Sequence, residues 1–371
     1  MPYLNDSYLS YLNLPSQCIL FGELINYLDI FLQFSKHQQS LSSSSSPTST
    51  ASTNLNLLSL YFNISTPILG FTEYTDNFGN SNEHEYFLQS TTGKKTLTSS
   101  EYFKYINVFN PAYSYIPFEY LPPSCGKKRV QRCYHKISLI YNYISTHQHE
   151  LAHHNFILPI FTKHINDTPL NDINTYLQYS KGLLVFTEHV SELNYKLLLK
   201  YKATLNTFGE NIMKIKANGN SVFDVFIGML IGCTHVEVEF PFTYSEKGLC
   251  MCVDFSMFHK EEDYRSDSIT DDIQFDCEPK LIDFNKKEYE EDLNVIVNTC
   301  ECFVCKSGYK RAYIHHLYKC HELNGNILVT IHNLYQSRKL YEILKQMHTQ
   351  EEQMNCFCWF IKYNCISNNK K

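Results

Sequence analysis

A chain of 371 residues with 43% apolar and 15% aromatic content holds material for one large barrel-type domain with an appendage, or for two medium domains. A formal net charge of −6 excludes a globally basic nucleic-acid binder, so any such contact needs a local patch or a partner. Fourteen cysteines behind an amino terminus, MPYLNDSYLSYLNLP, without the basic region of a signal peptide argue for thiols and metal ligands in a cytoplasmic chain.

In chain order, Leu20 to Phe34 predicts an amphipathic helix, interrupted by Glu23, Asn26 and Asp29 and so unfit to span a membrane. The run SLSSSSSPTSTASTN at 40–54 is low in complexity, buries little and reads as a disordered insertion. Thereafter LLSLYFNI, FILPIFTK, GLLVFTE and HVEVEFPF have the β-branched and aromatic content of strands. Between them VQRCYHKISLIYNYISTHQHEL, LNDINTYLQYS, ELNYKLLLKYKATL and SVFDVFIGMLIGC suit helices. The last, with Asp224 inside it, is too short for an integral membrane segment. Strand alternating with helix implies a parallel sheet, and at this length a (β/α)8 TIM-type barrel is the leading expectation. The acidic stretch 260–280 reads as a solvated loop.

The stretch CECFVC places Cys300, Cys302 and Cys305 in a C-x-C-x2-C pattern, which could be a disulfide knot, a redox pair or a metal claw. One turn can aim three thiolates at a common centre, where Zn2+ requires a fourth nitrogen or sulfur ligand. His315, His316, His321 and His332 lie downstream. The first three fall in RAYIHHLYKCHEL, which has helical periodicity. His332 follows the strand-like NILVTI and is expected at the start of a further helix, with Asn333 and Gln336 in a capping-box-like arrangement. A helix packed back on the claw would deliver a residue at its own start, which favours His332. Four protein ligands close the site, so one structural Zn2+ per chain is expected. The CFCWF cluster, with Cys356, Cys358 and later Cys365, lacks nearby histidines and reads as a packed tail. Lys306, Lys310, Arg311 and Lys319, and separately Lys127, Lys128, Arg129 and Arg132, could neutralise phosphates.

Read in full, CECFVCKSGYKRAYIHHLYKCHELNGNILVTIHNL resembles the zinc signature of the tRNA-guanine transglycosylase family, in which C-x-C-x2-C precedes R-A-Y-x-H-H-L and a late T-I-H-N. The spacing from Cys305 to His332 is one residue longer than the family usually shows, the extra residue falling in KSGYKR. The resemblance implies a (β/α)8 barrel with an inserted zinc-binding subdomain near the carboxyl terminus. That corresponds to a barrel at 1–285, with its first elements absent or unusual, and a subdomain with carboxy-terminal helices at 286–371. Active members exchange guanine for queuine or its precursor at the wobble position of tRNAs with GUN anticodons. They use an aspartate nucleophile and a second aspartate in D-S-G-G-F-Q.

Several of these catalytic features are degenerate here. In GCTHVEVEFPFTYSEKG, Pro241 and Gly248 fall in register with the nucleophile loop, so Glu237 stands at the nucleophile position and the arginine of P-T-R is lost. IPFEYLPP places Glu119 where a base-recognising aspartate is expected. SKGLLVFTEH retains only Gly182 of a glycine-rich loop, and D-S-G-G-F-Q is absent from the sequence. The extra methylene of a glutamate moves its carboxylate by about 1 Å, a misplacement that can cost on the order of 100-fold in rate. The resemblance therefore implies no catalytic residue. It points to a non-catalytic accessory member that forms a heterodimer with a catalytic queuine tRNA-ribosyltransferase subunit, meets tRNA through that complex, and associates peripherally with the mitochondrial outer membrane. A divergent enzyme using Glu237, or a zinc-containing scaffold, are the alternatives.

Overall fold

The structure, a computed structural model, describes residues 20–23, 67–70, 85–90, 93–167, 170–209, 211–259 and 278–366. The Ser/Thr-rich run, LLSLYFNI and most of the acidic stretch at 260–280 lie outside the described residues. The chain divides into two compact units, the boundary falling between Phe186 and Thr187.

The unit Pro15–Phe186 holds a five-stranded parallel sheet. Its strands are β1 (Leu20–Glu23), β2 (Pro67–Gly70), β5 (Tyr113–Tyr115), β6 (Phe156–Phe161) and β7 (Ser180–Phe186), paired in that order. The hairpin β3 (Glu85–Ser90) and β4 (Gly93–Thr98) precedes helix α1 (Ser99–Phe109), which begins in a capping box between Thr98 and Glu101. Helices α2 (Lys127–Thr146) and α3 (Leu170–Leu177) connect β5 to β6 and β6 to β7. Every residue of β6 is buried, as expected of a strand covered on both faces. Phe161 and Phe186 stack at 4.9 Å, with Phe118 edge-on or tilted against both. Buried Lys136 of α2 lies over the Tyr86 ring at 4.8 Å and donates to the Glu85 carbonyl at 3.3 Å, fixing the hairpin to the helix.

Two expectations change here. Leu20–Glu23, the start of the predicted amphipathic helix, is a strand, because parallel pairing with Pro67–Gly70 supplies its backbone hydrogen bonds. The sheet of this unit is half a barrel and does not close into a ring among the described residues.

The unit that includes Thr187–Lys371 begins with α4 (Tyr195–Asn206) and the parallel pair β8 (Met213–Lys216) and β9 (His235–Val236), linked by α5 (Phe223–Leu230). HVEVEFPF is strand for only two residues. Pro241 sits in the first turn of α6 (Phe240–Glu246), where its fixed φ starts a helix and its missing N–H costs nothing. A small antiparallel pair follows, β10 (Leu249–Met251) with β12 (Leu281–Asp283), while β11 (Glu278–Pro279) pairs with the terminal β13 (Cys365–Ile366). The remainder is helical: α7 (Phe303–Lys306), α8 (Arg311–Lys319), α9 (Leu323–Gln346) and α10 (Gln350–Asn364). CFCWF lies in α10, where Cys356, Phe357 and Trp359 are buried, so it is a packed tail as expected.

NILVTI is not a strand. It lies inside α9, and His332 is ten residues into that helix rather than at its start. Ile327 through Asn333 are all buried, so the apolar run reflects a helix covered on every side, and tertiary burial overrides the β-propensity of its branched residues.

A pH test follows from the first unit. Buried His154 bonds Asn107 Oδ1 through Nε2 at 2.7 Å, and burial, with the His153 ring tilted against it at 3.9 Å, lowers its pKa to about 4. The unfolded chain therefore takes up this proton first. The contribution of His154 is full above pH 6.5 and is lost as pH falls from 6.5 towards 4. Urea midpoints measured across that window should fall for the wild-type chain and fall less for His154→Gln.

Candidate metal centre

The Cys302 side chain caps its own short helix: the Cys305 N–H donates to Cys302 Sγ at 3.4 Å at the start of α7. That turn points Cys300, Cys302 and Cys305 at one centre, and α9 brings His332 to face it. His332 Nδ1 lies 3.9, 3.3 and 3.5 Å from the sulfurs of Cys300, Cys302 and Cys305. All four ligand atoms fall within 4.8 Å of one another. Tetrahedral zinc with Zn–S of about 2.3 Å and Zn–N of about 2.0 Å requires donor separations of about 3.5–3.8 Å. The group could hold a metal ion, and its donor set is consistent with structural zinc.

The imidazole orientation is set from behind. His332 Nε2 lies 2.9 Å from the Met251 carbonyl, to which it donates, so Nδ1 faces the sulfurs and would offer its lone pair to a cation held among them. The next residue, Asn333, is fully buried and spans three elements. Its Oδ1 accepts from Met251 N at 2.9 Å, and its Nδ2 donates to Leu249 O at 3.1 Å and Pro241 O at 3.4 Å. Thr330 bonds Ser245 at 2.6 Å, and Tyr318 donates to the Ser245 carbonyl at 2.6 Å. T-I-H-N is thus one ligand flanked by residues that dock β10 and α6 onto the helix.

The other histidines separate cleanly. His315 is buried and donates from Nδ1 to Phe284 O at 2.7 Å, whereas His316 is exposed beside Cys320 and His321 is exposed with φ +55°. Burial lowers the His332 pKa, but the sulfurs of Cys300 and Cys305 outweigh it and raise the imidazole to about 9. Hydrogen bonds from Cys302 and Cys305 hold the Cys300 thiol far below its ordinary value and push Cys302 correspondingly high. A cation entering this cluster displaces those protons, so loading weakens as pH falls.

Glu237 follows the carboxyl end of β9, the edge at which parallel α/β sheets present reactive groups. Its carboxylate is half-buried and accepts from Asn218 N at 3.2 Å, while its own N–H donates to Lys216 O at 2.9 Å. Asn218 is left-handed at φ +56°. A Cβ added to Gly219 would sit 1.7 Å from the Glu237 carbonyl oxygen, so only glycine permits the two loops to meet.

Glu119, in the other unit, is fully buried and clamped. Arg129 Nε reaches Oε1 at 2.7 Å, and Arg132 reaches Oε1 at 2.8 Å and Oε2 at 3.2 Å. Arg129 and Arg132 are therefore engaged with an internal carboxylate while their side chains stay partly exposed. Arg311 is likewise engaged, with Asp292 at 3.1 Å and Ile296 O at 2.6 Å. Lys127, Lys128, Lys310 and Lys319 are exposed, as is Lys306, which lies 3.8 Å from Glu301.

Sequence reasoning missed a buried ion pair beside the Glu237 loop. Lys216 Nζ lies 3.1 Å from Asp224, with side-chain exposures of 2% and 7%, and Asp224 also accepts from the Ser221 N–H and hydroxyl at 3.0 Å each. MKIK alternates like a half-exposed strand, and its only signal was Asp224 standing in an otherwise apolar helix.

The described residues form an α/β architecture with a Cys3His cluster on its carboxy-terminal helical segment. Residues 211–358 match the family profile TGT, Queuine tRNA-ribosyltransferase. A "Queuine tRNA-ribosyltransferase-like protein" of Plasmodium falciparum is 26% identical over 317 residues, covering 79% of this chain and 74% of its own length. "Queuine tRNA-ribosyltransferase accessory subunit 2" of Drosophila grimshawi is 38% identical over 82 residues, 22% of this chain and 19% of the relative. A "Queuine tRNA-ribosyltransferase" of Blochmanniella floridana is 33% identical over 90 residues, 24% of each chain.

Removing one partner of the buried pair strands the other charge. Lys216→Met should lower stability by about 3–5 kcal/mol, and Lys216→Met with Asp224→Leu should recover much of that loss. Equilibrium denaturation of both variants measures the difference.

Proposed function

We propose that this chain is the zinc-bearing, non-catalytic accessory subunit of a queuine tRNA-ribosyltransferase, supporting exchange of guanine for queuine at the tRNA wobble position as a heterodimer with a catalytic subunit. The observation that carries this reading is the state of Glu119. Where the resemblance expects a base-reading aspartate, a longer carboxylate is withdrawn from solvent and held by two arginines. A carboxylate so engaged is not available to hydrogen-bond a purine edge without breaking two charge-assisted bonds. Glu237, tied to the Asn218 backbone, supports the same reading. In it, residues 286–371 form the zinc subdomain, Cys300, Cys302, Cys305 and His332 hold one Zn2+, and 1–285 derive from the family barrel. Similarity to the accessory subunit 2 of Drosophila grimshawi, over 22% of this chain, supports the same reading.

A second reading, a divergent catalytic transglycosylase using Glu237, is favoured by the placement of that carboxylate at the end of a parallel strand and by the similarity to the Blochmanniella protein. Among the described residues no helix is long and apolar enough to cross a membrane.

Three measurements test the proposal. Guanine exchange assayed with each subunit purified alone and together should appear only with the catalytic partner. Robust activity from this chain alone, with a denaturation-resistant tRNA adduct lost in Glu237→Gln, would establish the second reading instead. Elemental analysis should find one zinc per chain. Cys302→Ser should lose both the metal and the partner, because the binding energy of a structural site is largely folding energy.

A further inference from the structure

Cys125 and His164 belong to no part of the proposed function. Cys125 lies between β5 and α2, one residue before Gly126, the N-cap of that 20-residue helix, which has no side-chain cap. His164 lies in the 3-10 turn Thr162–Asp167 that directly follows β6. Both therefore sit at the carboxyl edge of the parallel sheet, and they meet: Cys125 Sγ is 3.4 Å from His164 Nε2. The thiol is half-exposed, the imidazole 7% exposed. Lys127 and Lys128 are exposed on the first turn of α2, and Lys163 is exposed beside His164.

We propose that Cys125 is a nucleophilic thiol activated by His164 and that its reaction partner is a small anionic disulfide. Burial pushes the Cys125 thiol above its ordinary value, although Arg129 and Lys163 pull it down, so at neutral pH it is protonated and needs a base within reach. His164 Nε2, with its own proton on Nδ1, is that base. The Cys125 proton passes to Nε2 as Sγ attacks one sulfur of the disulfide. A new S–S bond forms as the old one breaks, and the leaving thiolate takes the proton from the imidazolium. Cys125 is oxidised to a mixed disulfide and the departing half is reduced to a thiol. The three lysines and the positive end of α2 favour an anionic partner over a neutral one.

An internal control exists in the other unit. Cys320 is exposed and also lies beside an imidazole, His316, at 3.6 Å, but it is the C-cap of α8, where the helix field opposes a thiolate. The full chain is treated in parallel with oxidised glutathione and with neutral 2-hydroxyethyl disulfide, and the modified cysteines are mapped by mass spectrometry over time. With glutathione, Cys125 should be modified faster than the more exposed Cys320, and this preference should shrink with the neutral disulfide. His164→Gln should slow Cys125 by on the order of 100-fold, the low end of general-base assistance, and leave Cys320 unchanged. Equal rates at the two cysteines in the wild-type chain overturn the proposal without recourse to any variant. An unchanged Cys125 rate in folded His164→Gln overturns the role of the base, and an undiminished preference with the neutral disulfide overturns the anionic class.

Discussion

The hydrogen bond from His332 Nε2 to the Met251 carbonyl is the contact on which the carboxy-terminal part of the molecule depends. It fixes the ring so that Nδ1, and no other imidazole nitrogen of the neighbouring histidines, faces three sulfurs. It also ties the metal cluster to β10, so the centre and the strand order together. Asn333 repeats the logic one residue later, satisfying backbone groups of β10 and α6 that would otherwise be buried without partners. A helix that must carry a ligand, a docking amide and the Thr330 hydroxyl on successive residues has to be surrounded on all sides. That is why its middle is the most deeply buried part of α9.

A second theme is charge turned inward. Glu119 with Arg129 and Arg132, Lys216 with Asp224, and Arg311 with Asp292 pair these charges with one another. Pairs with buried members are expensive to break, because the remaining partner is left unsolvated, and their net gift to stability is small. Their effect is on specificity: the loops after β5 and β8 are locked by ion pairs and by the Gly219 contact.

The cysteine turn was legible because its information is local. Three cysteines within six residues, and a histidine in a distinctive tetrapeptide, carry their chemistry in their spacing. The helix register around His332 was not legible, since a run such as NILVTI has no amphipathic period and reads equally as a buried strand or a buried helix. Leu20–Glu23 failed for the related reason that four residues cannot reveal a pairing partner more than forty residues away. The fates of Arg129 and Arg132 were hidden similarly. Both look like surface cations on an exposed first turn until the fold delivers a buried carboxylate to them.

By itself, then, the sequence determined the alternation of strands and helices, the identity of the four metal-facing residues and the loss of the expected catalytic motifs. All of these are properties of residue type and short-range spacing. Only the tertiary structure decided that Glu119 is sequestered, that Lys216 is paired in the core, that Cys125 meets His164, and which imidazole nitrogen faces the sulfurs. Each of these depends on groups distant in sequence being brought within a hydrogen-bond length, and burial then sets what such groups can do.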